Sequence, residues 1–218
     1  MSNPLLLAVY ILGVFLFLSF YFVSAILYKN RHKTKYRFYQ MFPYEFNYPS
    51  VFKGNLYGNL LFVLSSFSIV VFYILNPIDS IYKTMTIVSA IIVTSILICL
   101  ILVPLYYLRT HMVLSIVAMV LPIALTMFNF FMAFNQYKIT PSEIERVLSL
   151  VSMILSGVLA FSSVLLVLNP KLSFKIYYEK DNYGSAKRPN IIHLAMTEWL
   201  AIFTYFISPL PVILLLII

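Results

Sequence analysis

Of the chain's 218 residues, 62% are hydrophobic and only 10% charged, against roughly 25% charged in ordinary soluble domains. A soluble globular fold is therefore excluded. The single cysteine, Cys99, excludes an intrachain disulfide framework and a cysteine-rich zinc site; the net charge of +8 comes with no folded basic domain and no recognition motif, so nucleic acid is not an expected partner.

A hydrocarbon core of about 30 Å takes roughly 20 apolar residues in a helix. Six runs meet that length: residues 4–28, 57–75, 84–108, 112–135, 147–168 and 192–216. The predicted fold is an all-α integral membrane protein, one polytopic domain over 1–218 built as a bundle of about six transmembrane helices. The first run has no cationic segment before it and no small-residue cleavage site after it, so it is expected to be a retained helix.

The loop that follows changes from the basic KNRHKTKYR to the aromatic FYQMFPYEFNYPSVF. Rings with polar edges favour the headgroup level, and Pro43 and Pro49 prevent one continuous helix, so this segment is expected to lie along the membrane surface. Gly54 and Gly58 form a GxxxG at the membrane edge, where that pattern is weak. The fourth run carries a stripe of Ser115, Ala118, Pro122, Thr126, Asn129 and Ala133. In QYKITPSEIERV, Thr140 is placed to cap the fifth helix, with Pro141 at its first position and Glu143 completing a capping box.

Within the fifth run Ser149, Ser152, Ser156, Ala160 and Ser163 recur at spacings of 3, 4, 4 and 3, which puts them on one helix face. This is a predicted packing face, with the stripe of helix 4 as its partner. A polar pathway would use the same residue types, and the stripe alone does not separate the two. The loop after it alternates Leu172, Phe174, Ile176, Tyr178 and then turns at Asp181, Asn182 and Gly184, which suits a short strand or helix followed by a turn. Pro104, Pro122, Pro209 and Pro211 predict local kinks.

Alternating loops divide the cations unevenly. Lys29, Arg31, Lys33, Lys35, Arg37, Lys53, Arg109, Lys171, Lys175, Lys180, Lys187 and Arg188 fall on one side; Lys83, Lys138 and Arg146 fall on the other. Basic residues in short loops stay cytoplasmic, so loops 29–56 and 169–191 are expected to be cytoplasmic and both termini outside. That face should attract anionic lipid.

One acid lies inside a run: Glu198, about 10 Å from the inner end of the sixth helix at 1.5 Å per residue. A charge there costs roughly 2.5 kcal/mol or more unless neutralised, paired or wetted. Depth matching makes Ser65, Ser66, Ser115, Ser162, Ser163 and Tyr21 its candidate neighbours, with Ala118 and Cys99 at similar depth, and places Asn129 too far toward the outer end. Glu198 reads either as a functional intramembrane site or as a tie between helices.

Catalytic motifs are missing: there is no HExxH, no GxSxG and no glycine-rich phosphate loop. His32, His111 and His193 all map to the cytoplasmic border but in separate segments without metal-ligand spacing, so no metal and no cofactor are expected. The leading expectation is a noncatalytic membrane component or accessory subunit that assembles with another membrane protein or with itself. The alternatives are a small transporter or channel subunit using Glu198, and an enzyme acting on lipid at the cytoplasmic face.

Overall fold

The computed structural model describes residues 3–47, 55–102, 108–172, 179–180, 186–187 and 190–216. Its helices are α1 (Asn3–His32), α2 (Leu56–Leu75), α3 (Ile81–Leu102), α4 (Leu108–Ile139), α5 (Glu143–Val167), α6 (His193–Ile207) and α7 (Leu210–Leu216). With α6 and α7 counted as one interrupted span, six helices are long and apolar enough to cross a membrane, and the protein is an all-α, multi-pass membrane protein. A two-residue antiparallel ladder, β1 (Glu179–Lys180) with β2 (Ala186–Lys187), pairs Glu179 with Lys187. The alternating residues Phe174, Ile176 and Tyr178 of that loop, and the turn residues 181–185, lie outside the described residues.

Several helices outrun the apolar stretches that announce them. α1 continues to His32 and α4 spans Leu108–Ile139, because hydropathy marks only the length of helix inside hydrocarbon while backbone hydrogen bonding carries on into the polar border. At the α4–α5 corner the expected capping box does not form. α5 starts at Glu143 with Ser142 before it, and no side chain caps it. Thr140 instead closes α4, its N–H donating to the Gln136 carbonyl (3.0 Å), while its own carbonyl accepts from Arg146 (3.3 Å).

The largest departure is the first loop. Rather than lying along a membrane surface, Tyr36, Phe42, Tyr44, Glu45, Phe46 and Asn47 are buried against the end of the bundle. Pro43 opens a 3-10 turn over Pro43–Asn47, and Glu45 closes it reciprocally: its carboxylate accepts from the Phe42 N–H (2.6 Å), and its own N–H donates to the Phe42 carbonyl (3.0 Å). Phe46 then stacks on Tyr36 (4.0 Å) and meets Trp199 edge-on (5.8 Å). Aromatic rings that suit a membrane interface suit a packed plug equally well, and here the second use prevails. Tyr48 and Phe52 lie outside the described residues.

Polar side chains fasten this plug. Asn47 Nδ2 donates to the Ile101 carbonyl near the end of α3 (3.0 Å), Asn55 Nδ2 to Asn47 Oδ1 (3.4 Å), and Ser24 Oγ on α1 to Asn55 Oδ1 (3.2 Å). Gly58 permits the α1–α2 approach beside them, since a Cβ there would meet Ser24 Oγ at 2.4 Å and Asn55 Oδ1 at 2.3 Å. Its expected GxxxG partner, Gly54, lies outside the described residues.

Candidate functional site

The sixth span collects the interior polar chemistry. On α6 and just beyond it, Glu198, Tyr205 and Ser208 are spaced by 7 and 3 residues and share one face, and all three are buried. Each meets side chains from other helices.

Nearest the basic end, Glu198 Oε1 lies 2.7 Å from Ser115 Oγ and 3.6 Å from His111 Nε2, both on α4. Glu198 is fully enclosed, and His111 is buried edge-on against Tyr44 of the plug (4.5 Å). The Ser115 hydroxyl is also 2.9 Å from the His111 carbonyl. One hydroxyl proton cannot serve both acceptors well, which defines two self-consistent arrangements. With Glu198 ionised, Ser115 donates to it; with Glu198 protonated, the acid donates to Ser115, which turns its own proton to the His111 carbonyl. Glu198 Oε2 and both ring nitrogens of His111 are buried without a hydrogen-bond partner among the described residues.

Halfway along, the Tyr205 hydroxyl is hydrogen-bonded to Thr94 of α3 and donates to the Ser66 carbonyl of α2 (3.2 Å). Toward the other end, Tyr73 of α2, Asn129 of α4 and Ser208 form a third cluster. The Tyr73 hydroxyl is 3.0 Å from Ser208 Oγ, and Asn129 Nδ2 donates to the Tyr73 hydroxyl (3.0 Å) and to the Ser208 carbonyl (2.8 Å). This cluster follows from Pro209 and Pro211, which have no N–H and so break the helix between Ile207 and Leu210. Two carbonyls at the break are taken up by side chains, Ser208 Oγ donating to Tyr205 (2.8 Å) and Tyr10 of α1 to Phe206 (3.2 Å), and Ser152 of α5 donates to the Pro211 carbonyl in the first turn of α7 (2.6 Å).

Of the expected neighbours of Glu198, the structure brings only Ser115 to it. Ser65 Oγ turns back to the Phe62 carbonyl (2.7 Å) and Ser163 Oγ to Leu159 (2.8 Å). Ser162 and Cys99 are exposed. Tyr21 packs edge-on against Trp199 at 5.5 Å, and Ser66 serves Tyr205 through its carbonyl. His111 was outside the depth argument because the fourth apolar run starts at residue 112. The i, i+4 spacing of His111 and Ser115, together with a helix that starts before its apolar run, is the signal that places both on one face toward Glu198.

The small-residue stripe on α5 is its buried face: Ser149, Ser152, Ser156, Ala160 and Ser163 are all enclosed. The two stripes do not simply zip together. α5 packs on α4 and also on α7, where Ser152 bonds, while Ser115 and Asn129 of α4 turn to the sixth span. Where α4, α5 and α6 meet, the crevice lined by Met119, Ser163, Val167, Thr197 and Ala201 has essentially no room for a water.

Fold and site together define a multi-pass membrane protein of six spans whose interior acid is paired with a serine and a histidine. No family model matches the chain, and neither the curated proteins nor the solved structures contain a match to it.

Proposed function

We propose that the protein is a noncatalytic component of the cell membrane, an accessory subunit that assembles with another membrane protein or with a second copy of itself. The observation that carries this reading is the use to which the interior polar groups are put. Three clusters on the sixth span tie it to α4, to α2 and α3, and to α2 and α4. Polar chemistry consumed in holding helices together suits a scaffold. Of the six spans, α1 and α5 are the least buried, and they offer the apolar surface that lipid or a partner helix would cover.

In this reading the cation-rich end, with loops 29–56 and 169–191, faces the cytoplasm and anionic lipid, and both termini are outside. A second reading, a small proton- or ion-coupled transporter subunit, is favoured by one observation: Glu198 Oε2 and the His111 nitrogens are buried without a hydrogen-bond partner among the described residues, at the head of a polar column.

Glu198→Gln separates the two. Gln keeps the hydrogen bond to Ser115 and removes the titration. As a scaffold, the variant purifies with unchanged thermal stability and the same cross-linked partners as wild type. As a transporter subunit it folds equally well, but reconstituted vesicles lose pH-dependent flux. Glu198→Leu leaves Ser115 and His111 facing an apolar side chain and should destabilise the bundle by about 1–3 kcal/mol. A Leu variant as stable and as active as wild type overturns both readings.

A further inference from the structure

At the basic end of the bundle a groove of about 270 Å³ opens between the last turns of α1 and the segment that returns after it. One wall is apolar: Phe22 (61% exposed), Ala25 and Ile26 (58% exposed). The rim carries Lys29 and Lys35, and Tyr21 and Tyr36 form the floor. We propose that this groove is a binding site for one anionic phospholipid, with the phosphate between Lys29 and Lys35 and an acyl chain along Phe22, Ala25 and Ile26.

The backbone builds the site. Lys33 adopts a left-handed conformation (φ 57°) that ends α1, and its N–H still bonds the Lys29 carbonyl at 2.9 Å. The chain is thereby turned back so that Lys35 and Tyr36 face the helix they have just left. Lys29 is about one turn beyond Ile26, about 4.5 Å farther along the axis, so an acyl chain lying along Ile26 would carry its headgroup toward the Lys29 ammonium. Among the described residues neither ammonium has a carboxylate partner. In the floor the Tyr36 hydroxyl is already engaged: it donates to the Phe42 carbonyl (2.8 Å) and accepts from Trp199 Nε1 (3.0 Å). The cations lining the groove are Lys29 and Lys35, so recognition of the headgroup's negative charge falls to them.

The chemistry selects among occupants. A soluble anion would meet the lysines but leave the apolar wall bare. A zwitterionic lipid would cover the wall but bring its own cation beside two others. An anionic lipid satisfies both parts.

The only tryptophan, Trp199, reports on this site because its ring is 5.5 Å from Tyr21 and its N–H bonds Tyr36. The full chain is placed in bilayers of phosphatidylcholine with a minor, constant fraction of phosphatidylglycerol. Bromines near the headgroup end of the acyl chain are carried either by the phosphatidylglycerol or by an equal amount of the phosphatidylcholine. The expected result is several-fold stronger quenching of Trp199 by the brominated phosphatidylglycerol. K29Q/K35Q should bring the two lipids toward parity, each lysine accounting for roughly fivefold in local lipid preference, while K29R/K35R should retain the preference.

Arg31 lies on the same stretch but does not line the groove, so R31Q should leave it unchanged. Equal quenching by the two lipids in the wild type overturns the proposal without recourse to any variant. An R31Q effect as large as that of K29Q/K35Q also overturns it, in favour of diffuse surface attraction. Relief of the quenching by inorganic phosphate, but not by chloride at equal ionic strength, would assign the lysines to free phosphate instead.

Discussion

Tyr36 shows how one side chain can set the geometry of a whole end of the bundle. Its hydroxyl bridges the plug and the sixth span, donating toward the Phe42 carbonyl and accepting from Trp199. Burial pushes its phenol well above the usual tyrosine range, and the nearby Glu45 charge adds to this. The phenol therefore remains a donor at any ordinary pH. Tyr36→Phe should cost about 1 kcal/mol near neutrality through the lost hydrogen bonds. Because the native phenol resists ionisation while the unfolded one ionises near pH 10, Tyr36 contributes stability that is complete below pH 10 and declines as pH rises above it. Denaturation of wild type and Y36F in micelles at pH 8 and at pH 11 checks this: the gap between them should narrow at the higher pH. A gap that widens would mean that the phenol is charged in the native protein.

At the scale of elements, α5 is the clearest test of how a membrane helix chooses its neighbours. Ser156 is fully enclosed and its hydroxyl has no partner among the described residues, whereas Val158 is exposed. Ser156→Ala should be close to neutral, because it removes an unsatisfied hydroxyl without opening a large void. Ser156→Leu inserts three extra carbons at a close helix contact and should cost about 1–3 kcal/mol, while Val158→Leu should be tolerated. Thermal unfolding of the three variants in one detergent gives the ranking, and indifference to Ser156→Leu would mean that this face is not packed.

The stripe was legible in the sequence because small residues at spacings of 3 and 4 define a helix face wherever they occur. The six spans were legible for a similarly local reason, the length of each apolar run. What stayed hidden depends on tertiary contact. The aromatic run after α1 carries the same composition whether it floats at an interface or plugs a bundle, and only Trp199 and Ile101, distant in sequence, decide for the plug. Glu198 stood out by type alone, and Ser115 was among its named neighbours. His111 was not, because the apolar run begins one residue later than that histidine although the helix begins three residues earlier.

At the scale of the whole molecule, six spans put both termini at one end and gather the charges unequally. Lys29, Arg31, Lys33, Lys35, Arg37 and Lys171 lie at one end of the bundle. At the other, two of the three cations are engaged locally: the Lys138 ammonium sits 4.2 Å from the Phe134 ring centre, and Arg146 donates to the Thr140 carbonyl. The cations without such local use are therefore concentrated where the positive-inside rule expects the cytoplasm. In a Cys99→Ala background, which removes the one native thiol, single cysteines at Lys35, Lys180 and Glu143 test this in intact cells with a thiol reagent that cannot cross the membrane. Cysteines at Lys35 and Lys180 should react only after permeabilisation, and the one at Glu143 should react at once. The reverse pattern would invert the protein in the membrane and leave the bundle intact. Reaction at Lys35 and Glu143 from the same side would be more serious, since no chain that crosses six times can place both ends of its bundle in one compartment.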